Sequence, residues 1–436
     1  MQKFDIAIAG AGPAGSVAAT LLARRGARVA LVVHPLQKQR YEGASPRVAA
    51  LLGRLNLPND ALGPPLPRIT RWNGLPSAPN REHLVDRLHF DSSLVEAARS
   101  AGAAIIEARA GRLSPGIDSA PGRMELSGQA AIEAAVLIEA RGRQAHVEPG
   151  RRRGPPTVAI AGMVPGAADT EALGIEALDC GWRWTAALPG RGRWVQIVAD
   201  VARIREEGLP AVWSRLAGPD APLPNEPVVR AAELRLNMPD LAAGILPLGD
   251  AAVGLDPLSG QGIWWAISAA LSAGPLVQAL CDGEGALAKR FYRERMLSTF
   301  WRQARIGRDF HAMIDSDDPF WTDRAAWPDN EPAHGRASET VLRRRVIIAD
   351  GRLRESAVLV TPHDPDGVAF VAGQPVARLI DRLGGQTLPD AADFARRILP
   401  ETPPETAAIV FGWLAARGFE RSPLPKGPAT SQEVPI

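Results

Sequence analysis

The chain has 436 residues, a hydrophobic fraction of 46%, and 50 basic against 48 acidic residues. This composition excludes a disordered chain, and the balanced charge gives no indication of nucleic acid or an anionic membrane as a partner. Its two cysteines, Cys180 and Cys281, predict neither a disulfide framework nor a metal site. We expect a cytoplasmic protein of two to three domains. A strand from about Phe4 is expected to leave no room for a signal peptide, and no apolar run is expected to approach the length of a membrane span.

The first motif follows the first predicted strand, residues 4–9. The sequence Gly-Ala-Gly-Pro-Ala-Gly occupies positions 10–15 and opens a helix predicted over about 14–25. In this context the first glycine permits a tight turn, the second lets the backbone approach a pyrophosphate, and the third lets helix and strand pack closely. The helix N-terminus adds free N–H groups and a positive dipole end. The pattern therefore predicts a dinucleotide site made by Gly10, Gly12, Pro13, Ala14 and Gly15.

The second predicted strand, residues 27–33, lacks the acidic residue that normally binds the adenosine ribose at its end. Val33 and His34 stand there instead. His34 is either a donor to the ribose hydroxyls or a solvent-facing loop histidine. Glu42 is the alternative candidate for the ribose contact.

A second motif begins with a strand-like run at 244–248 that ends in Gly249-Asp250. A glycine-rich turn at 256–262 then leads into a helix predicted over 263–271. Asp250 is suited to accept hydrogen bonds from a polyol, and the helix N-terminus would face an electron-rich atom. The turn supplies further candidate contacts, namely Pro257, Gly260, Gln261 and Gly262.

Together the two motifs resemble the FAD enzymes of the p-hydroxybenzoate hydroxylase-like fold, which include aromatic hydroxylases, flavin-dependent halogenases and geranylgeranyl reductases. The resemblance covers about residues 1–310 and implies an α/β fold, in which a Rossmann-type FAD-binding domain carries an inserted β-sheet substrate domain. It implies that Asp250 binds the ribityl chain, that the 260–262 turn binds the pyrimidine edge of the isoalloxazine, and that Arg87 lies near the flavin phosphates. Arg141 replaces the aspartate of an element typical of NAD(P)H-using hydroxylases. The reductant, NAD(P)H used directly or through a separate flavin reductase, therefore stays open.

Residues 180–189 nearly reproduce a WxWxxP-type signature of flavin-dependent halogenases. Strand alternation puts Trp182 and Trp184 on one face, where they either wall a pocket or form a packing pair. Halogenases also need a catalytic lysine ahead of this signature, and the chain has no lysine between Lys38 and Lys289. This gap disfavours halogenation. It leaves hydroxylation of an aromatic ring through a C4a-hydroperoxyflavin, which needs no such lysine.

The segment 40–48, with Ser45-Pro46-Arg47 at its centre, resembles the flavoprotein monooxygenases that modify tryptophan in a protein precursor during biogenesis of tryptophylquinone cofactors. That resemblance implies a peptide or protein substrate, and a flavin or substrate contact for Arg47. Trp182, Trp184, Pro257 and His89 are the candidate catalytic residues, and spacing does not decide among His83, His89 and Glu42 as general acid or base. A halogenase, a reductase of prenyl chains and a flavoprotein scaffold without turnover remain alternatives.

Beyond residue 339, strand and helix patterns predict a small α+β module that resembles a winged helix, including those that hold precursor peptides. A packing domain or dimer interface is the alternative. The predicted organisation is an FAD-binding domain at 1–165 and 240–315, with parts of 68–90 in the substrate domain, a substrate domain at 166–239, a linker at 316–338, the module at 339–420 and a disordered tail at 421–436.

Overall fold

The computed structural model describes residues 2–34, 38–73, 75–116, 120–145, 151–166, 172–237, 241, 244–335 and 337–420. The chain divides into two compact units, Met1–Ala333 and His334–Ile436. Unit 1 carries both motifs.

The strands described in unit 1 are, in chain order, β1 (Lys3–Ala9), β2 (Val29–Val33), β3 (Tyr41–Ala44), β4 (Leu62–Trp72), β5 (Leu75–Asp86), β6 (Ala104–Glu107), β7 (Ala110–Ser114), β8 (Gly122–Leu126), β9 (Gln129–Glu139), β10 (Arg152–Arg153), β11 (Thr157–Val164), β12 (Ala172–Leu178), β13 (Gly181–Leu188), β14 (Gly192–Asp200), β15 (Val228–Ala231), β16 (Arg235–Leu236), β17 (Ile245–Pro247) and β18 (Val253–Gly254). The helices are α1 (Pro13–Ala23), α2 (Pro46–Arg54), α3 (Arg87–Ser100), α4 (Val201–Glu207), α5 (Leu209–Ala217), α6 (Gly262–Ala270), α7 (Ala273–Cys281), α8 (Gly285–His311) and α9 (Pro319–Ala326).

The first sheet has the strand order β6-β2-β1-β9-β8-β7, with β17 beside β9. Its centre is parallel and buried, as the continuous apolar runs of β1 and β2 predict. Ala9 of β1 and Pro247 of β17 both align with Glu139 of β9. The two glycine motifs therefore begin at the same carboxyl edge of this sheet, although more than two hundred residues separate them in the sequence.

The second sheet has the order β15-β11-β14-β13-β12-β4-β5-β3. Besides strands from the predicted 166–239 and 68–90, it contains β3, the first residues of β4 and the whole of β11, so the predicted substrate domain was too narrow. Two causes are visible. Prolines at 64, 65 and 67 are unusual in a strand, so the sequence of β4 is more typical of a loop. In addition, its partner β12 lies about a hundred residues away, with Arg68 aligned to Leu173.

The predicted linker at 316–338 is also wrong, because α9 lies inside it. Asp318 and Pro319, which suggested a turn, are the N-cap and first residue of this helix, and the Asp318 carboxylate accepts the Phe320 N–H at 2.9 Å. Phe320 and Trp321 are fully buried, and the indole N–H of Trp321 donates to the Leu178 carbonyl at 2.9 Å. This segment is therefore part of the core of unit 1.

The expectation that no apolar run approaches a membrane span in length is wrong as well. Gly262–Cys281 is long and apolar enough by composition, with a mean hydropathy of 1.4. The segment is broken into α6 and α7, and 72% of it is buried inside the protein. Such burial is typical of a core helix of a globular domain.

Unit 2 has a core of its own, formed by fifteen buried hydrophobic residues between Leu342 and Phe419. The hairpin β19 (Val341–Ala349) and β20 (Arg352–Val360) turns at Asp350-Gly351, and a short pair, β21 (Phe370–Val371) and β22 (Gln374–Pro375), follows. Three helices complete the unit: α10 (Val376–Leu383), α11 (Ala391–Arg397) and α12 (Pro404–Ala415). Its likeness to a winged helix stays a prediction. The tail at 421–436 lies outside the described residues.

Candidate active site

The first glycine turn leaves an open space at the N-terminus of α1. Gly10 has φ +102°, and a β-carbon there would lie 2.6 Å from the Ala140 carbonyl oxygen. A β-carbon at Gly15 would lie 1.9 Å from the Gly10 oxygen, so helix and strand pack as the motif predicts. Gly12 differs, because a β-carbon there would meet nothing within 4 Å. The N-terminus of α1 thus faces a cradle that a side chain would fill and a phosphate can enter.

The second motif packs directly against the first. Gly249 has φ +59°, and a β-carbon on it would lie 2.9 Å from the β-carbon of Ala14. The next residue, Asp250, is half-buried, with one carboxylate oxygen 3.6 Å from Nε of Arg143. Burial raises the pKa of Asp250, and Arg143 opposes this shift. A carboxyl group in this setting is suited to bind polyol hydroxyls.

The turn at 256–262 is held by hydrogen bonds within the turn itself. The Asp256 carboxylate accepts the Leu258 N–H at 2.9 Å, and Gly260 takes the left-handed conformation, with φ +59° and ψ +15°. Gln261 is the N-cap of α6, and a β-carbon on Gly262 would meet nothing within 4 Å. This helix N-terminus is therefore also open to a ligand, and half-buried Pro257 begins the turn.

Arg47 lies close to this second helix. It is an exposed residue in the first turn of α2, and its guanidinium carbon lies 5.1 Å from the centre of the Trp264 ring. This cation–π contact joins α2 to the start of α6. The structure therefore places Arg47 near the second motif, as a flavin or substrate contact requires.

Arg87 is the centre of a buried charge cluster at the start of α3. Its guanidinium lies 2.7 Å from Glu42 and 3.0 Å from Asp91. Burial alone would lower the pKa of Arg87, but the two carboxylates outweigh it and raise that pKa. Burial likewise works to raise the pKa of Glu42, but Arg87 and Arg40 hold it below its ordinary value. For Arg40, burial and the neighbouring Arg87 lower the pKa to about 10. The cluster keeps the guanidinium of Arg87 near the second motif, where it lowers the pKa of Asp250. Glu42 has the opposite effect and raises that pKa.

Two predicted histidines lie on the surface. His89 is 61% exposed on α3, with Nε2 3.8 Å from an oxygen of the exposed Asp60. This exposed position gives no support to a catalytic role, and a catalytic His89 stays a prediction. His34 is exposed at the end of β2, so a ribose contact stays a prediction. His83 is buried, and its Nδ1 lies 2.6 Å from the Gly63 carbonyl oxygen.

One face of the second sheet carries a cluster of aromatic residues. Trp182 and Trp184 alternate on β13 as predicted, and both are more than nine-tenths buried. They share a cluster with Leu258 of the turn at 256–262, which connects this face to the second motif. The indole nitrogens of Trp182 and Trp194 have no hydrogen-bond partner among the described residues. The remaining aromatic members of the cluster are Tyr41, Phe320, Trp321 and the partly buried Trp72.

Sequence reasoning missed Glu82, a buried carboxylate on this same face. Glu82 is 6% exposed, and one of its oxygens pairs with Arg68 of the neighbouring strand. The other oxygen, Oε2, has no partner among the described residues. The only sequence signal is Gly43, where a β-carbon would lie 2.5 Å from that oxygen.

None of the described lysines lies on the second sheet. Lys3 is in β1, Lys289 is in α8, and Lys38 is on the surface with its amine 3.1 Å from Glu226. The structure therefore brings no described lysine to the aromatic face where a halogenase would need one.

No family model and no curated protein matches the chain. Among solved structures, the chain is similar to the peptidyl tryptophan dihydroxylase QhpG, described as essential for tryptophylquinone cofactor biogenesis. The identity is 30% and the TM-score 0.80, over 95% of this chain and 99% of that one. The chain belongs to the FAD-dependent monooxygenases of the p-hydroxybenzoate hydroxylase-like fold.

More distant members of this monooxygenase fold include the flavin-dependent halogenase CmlS, with 18% identity and a TM-score of 0.70 over 96% of each chain. Aklavinone-11 hydroxylase, solved with FAD and aklavinone, has 16% identity and a TM-score of 0.57 over 73% of this chain and 71% of that one. At these identities, the similarity to the two enzymes supports the fold of this chain and not its substrate. The similarity to these FAD-dependent enzymes confirms the predicted α/β fold class and the predicted FAD cofactor.

The residues present fit FAD. The open cradle at Gly12 is suited to the pyrophosphate, and Asp250 to the ribityl hydroxyls. The Gly260–Gly262 turn, with its open helix N-terminus, is suited to the electron-rich edge of the isoalloxazine. Arg87 is close enough to Asp250 to oppose the rise of its pKa, so it supplies positive charge near the second motif. These individual contacts remain predictions.

Proposed function

We propose that this monooxygenase hydroxylates tryptophan within a peptide or protein precursor during biogenesis of a tryptophylquinone cofactor. The observation that carries the proposal is the similarity to QhpG at 30% identity, over nearly the whole length of both chains. The halogenases and small-molecule hydroxylases match at 16–20% identity, which supports the fold and not the substrate.

The chemistry divides between cofactor and protein. Bound FAD, once reduced, supplies an activated oxygen atom from dioxygen. The protein must hold an electron-rich ring in place and exclude water. The cluster that includes Trp182, Trp184 and Leu258 is suited to this task, because it is apolar, rigid and continuous with the turn that would hold the isoalloxazine.

Unit 2 is proposed to bind the precursor. It has its own core, and the match to QhpG covers 95% of this chain, so a comparable unit exists in an enzyme described as acting on peptidyl tryptophan. The match to CmlS covers 96%, so a unit at this position is not confined to such enzymes. Binding of the precursor by unit 2 therefore needs its own test.

The test uses the unmodified precursor polypeptide of a tryptophylquinone protein. The holoenzyme is supplied with NADH, NADPH, a flavin reductase and isotopically labelled dioxygen, so that the electron source does not limit turnover. We expect labelled oxygen on one tryptophan, located by tandem mass spectrometry, and none on a precursor in which that tryptophan is phenylalanine. Dioxygen consumption without labelled tryptophan would contradict the proposal.

A further inference from the structure

His311, the last residue of α8, is a buried histidine with one ring nitrogen that lacks a partner. The residue is 2% exposed, and its Nδ1 lies 2.7 Å from the Gly307 carbonyl oxygen. Because a carbonyl oxygen only accepts hydrogen bonds, Nδ1 carries the proton, and Nε2 of the neutral ring is an acceptor. Nε2 has no hydrogen-bond partner among the described residues. A buried acceptor of this kind is costly unless a donor reaches it.

The charged groups around His311 keep its ring neutral. Burial lowers the pKa of His311 below its ordinary 6.5, and Arg324 of α9 adds to that effect. Asp256 of the turn at 256–262 and the hydrogen bond at Nδ1 act in the opposite direction and do not outweigh burial. Arg308 of α8 lies beside the same space, with its guanidinium 2.7 Å from the Asp309 carboxylate. At neutral pH, Nε2 is therefore an acceptor.

A small pocket lies between α8 and the turn at 256–262. His311 and Asp256 both line it, together with Gln303, Gly307 and Thr157, and its volume is about 20 Å³. A bound water molecule needs about 10–15 Å³ and two to four polar partners. Nε2 and the Asp256 carboxylate are both acceptors, so neither can satisfy the other. A water molecule has two O–H donors and can satisfy both.

We propose that a water molecule bridges Nε2 of His311 and the Asp256 carboxylate, and that His311 thereby positions the turn that would hold the isoalloxazine. The Asp256 carboxylate also accepts the Leu258 N–H at 2.9 Å, so the water acts on the residue that begins the turn. His311 works through Asp256 and is a positioning residue. The inference concerns flavin binding, and it does not depend on the identity of the substrate.

Protonation of His311 should disturb this arrangement. The proton would enter at Nε2 and turn the acceptor into a donor. The charged ring would then attract the Asp256 carboxylate directly, in competition with the Leu258 N–H. The affinity for FAD should therefore be constant above the ordinary pKa of 6.5, and it should fall as the pH drops through the lowered pKa of His311.

The experiment measures the dissociation constant of FAD for the apoprotein from about pH 5 to about pH 8, by the change in flavin fluorescence. His311→Phe keeps a ring against Phe320 and Trp321, whose centroids lie 6.0 and 5.7 Å from that of His311, but it removes the acceptor. Its affinity at neutral pH should be about threefold to tenfold weaker, the range of one hydrogen bond, and should not change through His311 titration.

His311→Gln is the rescuing variant. The glutamine oxygen can accept from the water in place of Nε2, and the amide does not titrate. At neutral pH this variant should bind FAD nearly as tightly as wild type, and it should keep that affinity in acid, where wild type loses it. A wild-type profile that coincides with the profile of His311→Gln would overturn the inference.

Asp256→Asn tests the coupling between the two side chains and gives an answer even if His311→Phe does not fold. The amide oxygen can keep the Leu258 contact, and the variant removes only the charge. Because the charge of Asp256 works to raise the pKa of His311, its loss should shift the fall in FAD affinity to lower pH. An unshifted profile would contradict the proposed contact.

The matched control is Tyr292→Phe. Tyr292 is buried on the same helix, and its hydroxyl donates to the Pro247 carbonyl at 3.0 Å, outside the pocket. This variant should lower the thermal midpoint and keep the wild-type pH profile of FAD binding. If it flattened that profile as His311→Phe does, the profile would report general stability, and the role of His311 would be excluded.

A high-resolution crystal structure of the holoenzyme provides the direct test. We expect one ordered water within hydrogen-bond distance of both Nε2 of His311 and the Asp256 carboxylate. An empty pocket, or unchanged FAD affinity in His311→Phe, would overturn the inference. Labelling of the precursor is measured separately, so either result leaves the proposed function standing.

Discussion

Gly12→Val should remove the flavin while leaving the fold intact. The backbone at Gly12 has φ −71° and ψ −178°, an extended conformation that valine adopts, and a β-carbon there meets nothing within 4 Å. The loss of fold stability should therefore stay within about 1 kcal/mol, the usual cost of an apolar residue at an N-cap. The same side chain would occupy the space of the pyrophosphate. Losing a charge-assisted contact of about 3 kcal/mol should weaken FAD binding roughly 100-fold.

The assay compares FAD content after purification, the dissociation constant of FAD for apoprotein, and the thermal midpoint of the apoprotein. Gly285→Val is the matched control, since it also adds a side chain in open space at the start of a helix and should keep its flavin. Gly15→Ala is the opposite control. Its methyl group would lie 1.9 Å from the Gly10 oxygen, so the fold itself should fail. A Gly12→Val protein that purifies yellow with normal flavin content would refute the assignment of the cradle.

Three further predictions concern halogenation, acid stability and unit 2. Bromide added to the reduced enzyme with dioxygen and precursor should leave the product free of bromine in its mass spectrum, since no described lysine lies on the second sheet; a single bromine would contradict this. Arg417 holds the pKa of Asp364 below its ordinary 3.8, so this pair stabilises the protein above that pH and loses its effect as pH falls through the lowered pKa. Arg417→Met should therefore lower the free energy of unfolding by about 1 kcal/mol at pH 7, with the difference vanishing in acid in urea titrations. A chain ending at Ala333 should be yellow and should consume dioxygen slowly when reduced, but should not bind the precursor in pull-down; modification of the precursor at the full rate would exclude the proposed role of unit 2.

The glycine motifs could be predicted from the sequence because their geometry is local. Gly10 adopts φ +102° in the turn itself, and a β-carbon on Gly15 would meet the Gly10 oxygen within the same unit, although a β-carbon on Gly10 would also meet Ala140 of the adjoining strand end. Gly249 shows the limit of this reasoning. Its contact with Ala14 joins segments far apart in the chain, and only the resemblance to a family linked them beforehand.

The errors have a common cause, which is pairing at long range. β4 reads as a proline-rich loop until β12 is placed beside it, and Asp318-Pro319 reads as a turn until the buried Phe320 and Trp321 show that a helix begins there. Glu82 carried no motif at all, and its pairing with Arg68 depends on the neighbouring strand.

The charge at the aromatic face also bears on the choice between hydroxylation and halogenation. The Trp182–Trp184 pair follows a halogenase-like signature, but the ionisable groups found near it are Arg68 and Glu82 rather than a lysine. The oxygen of Glu82 that lies nearest the turn at 256–262 is the one that pairs with Arg68. The two groups therefore offset each other's charge, and neither supplies the amine that the resemblance to halogenases requires. The described residues of this face thus favour hydroxylation for the same reason as the sequence does, which is the missing lysine.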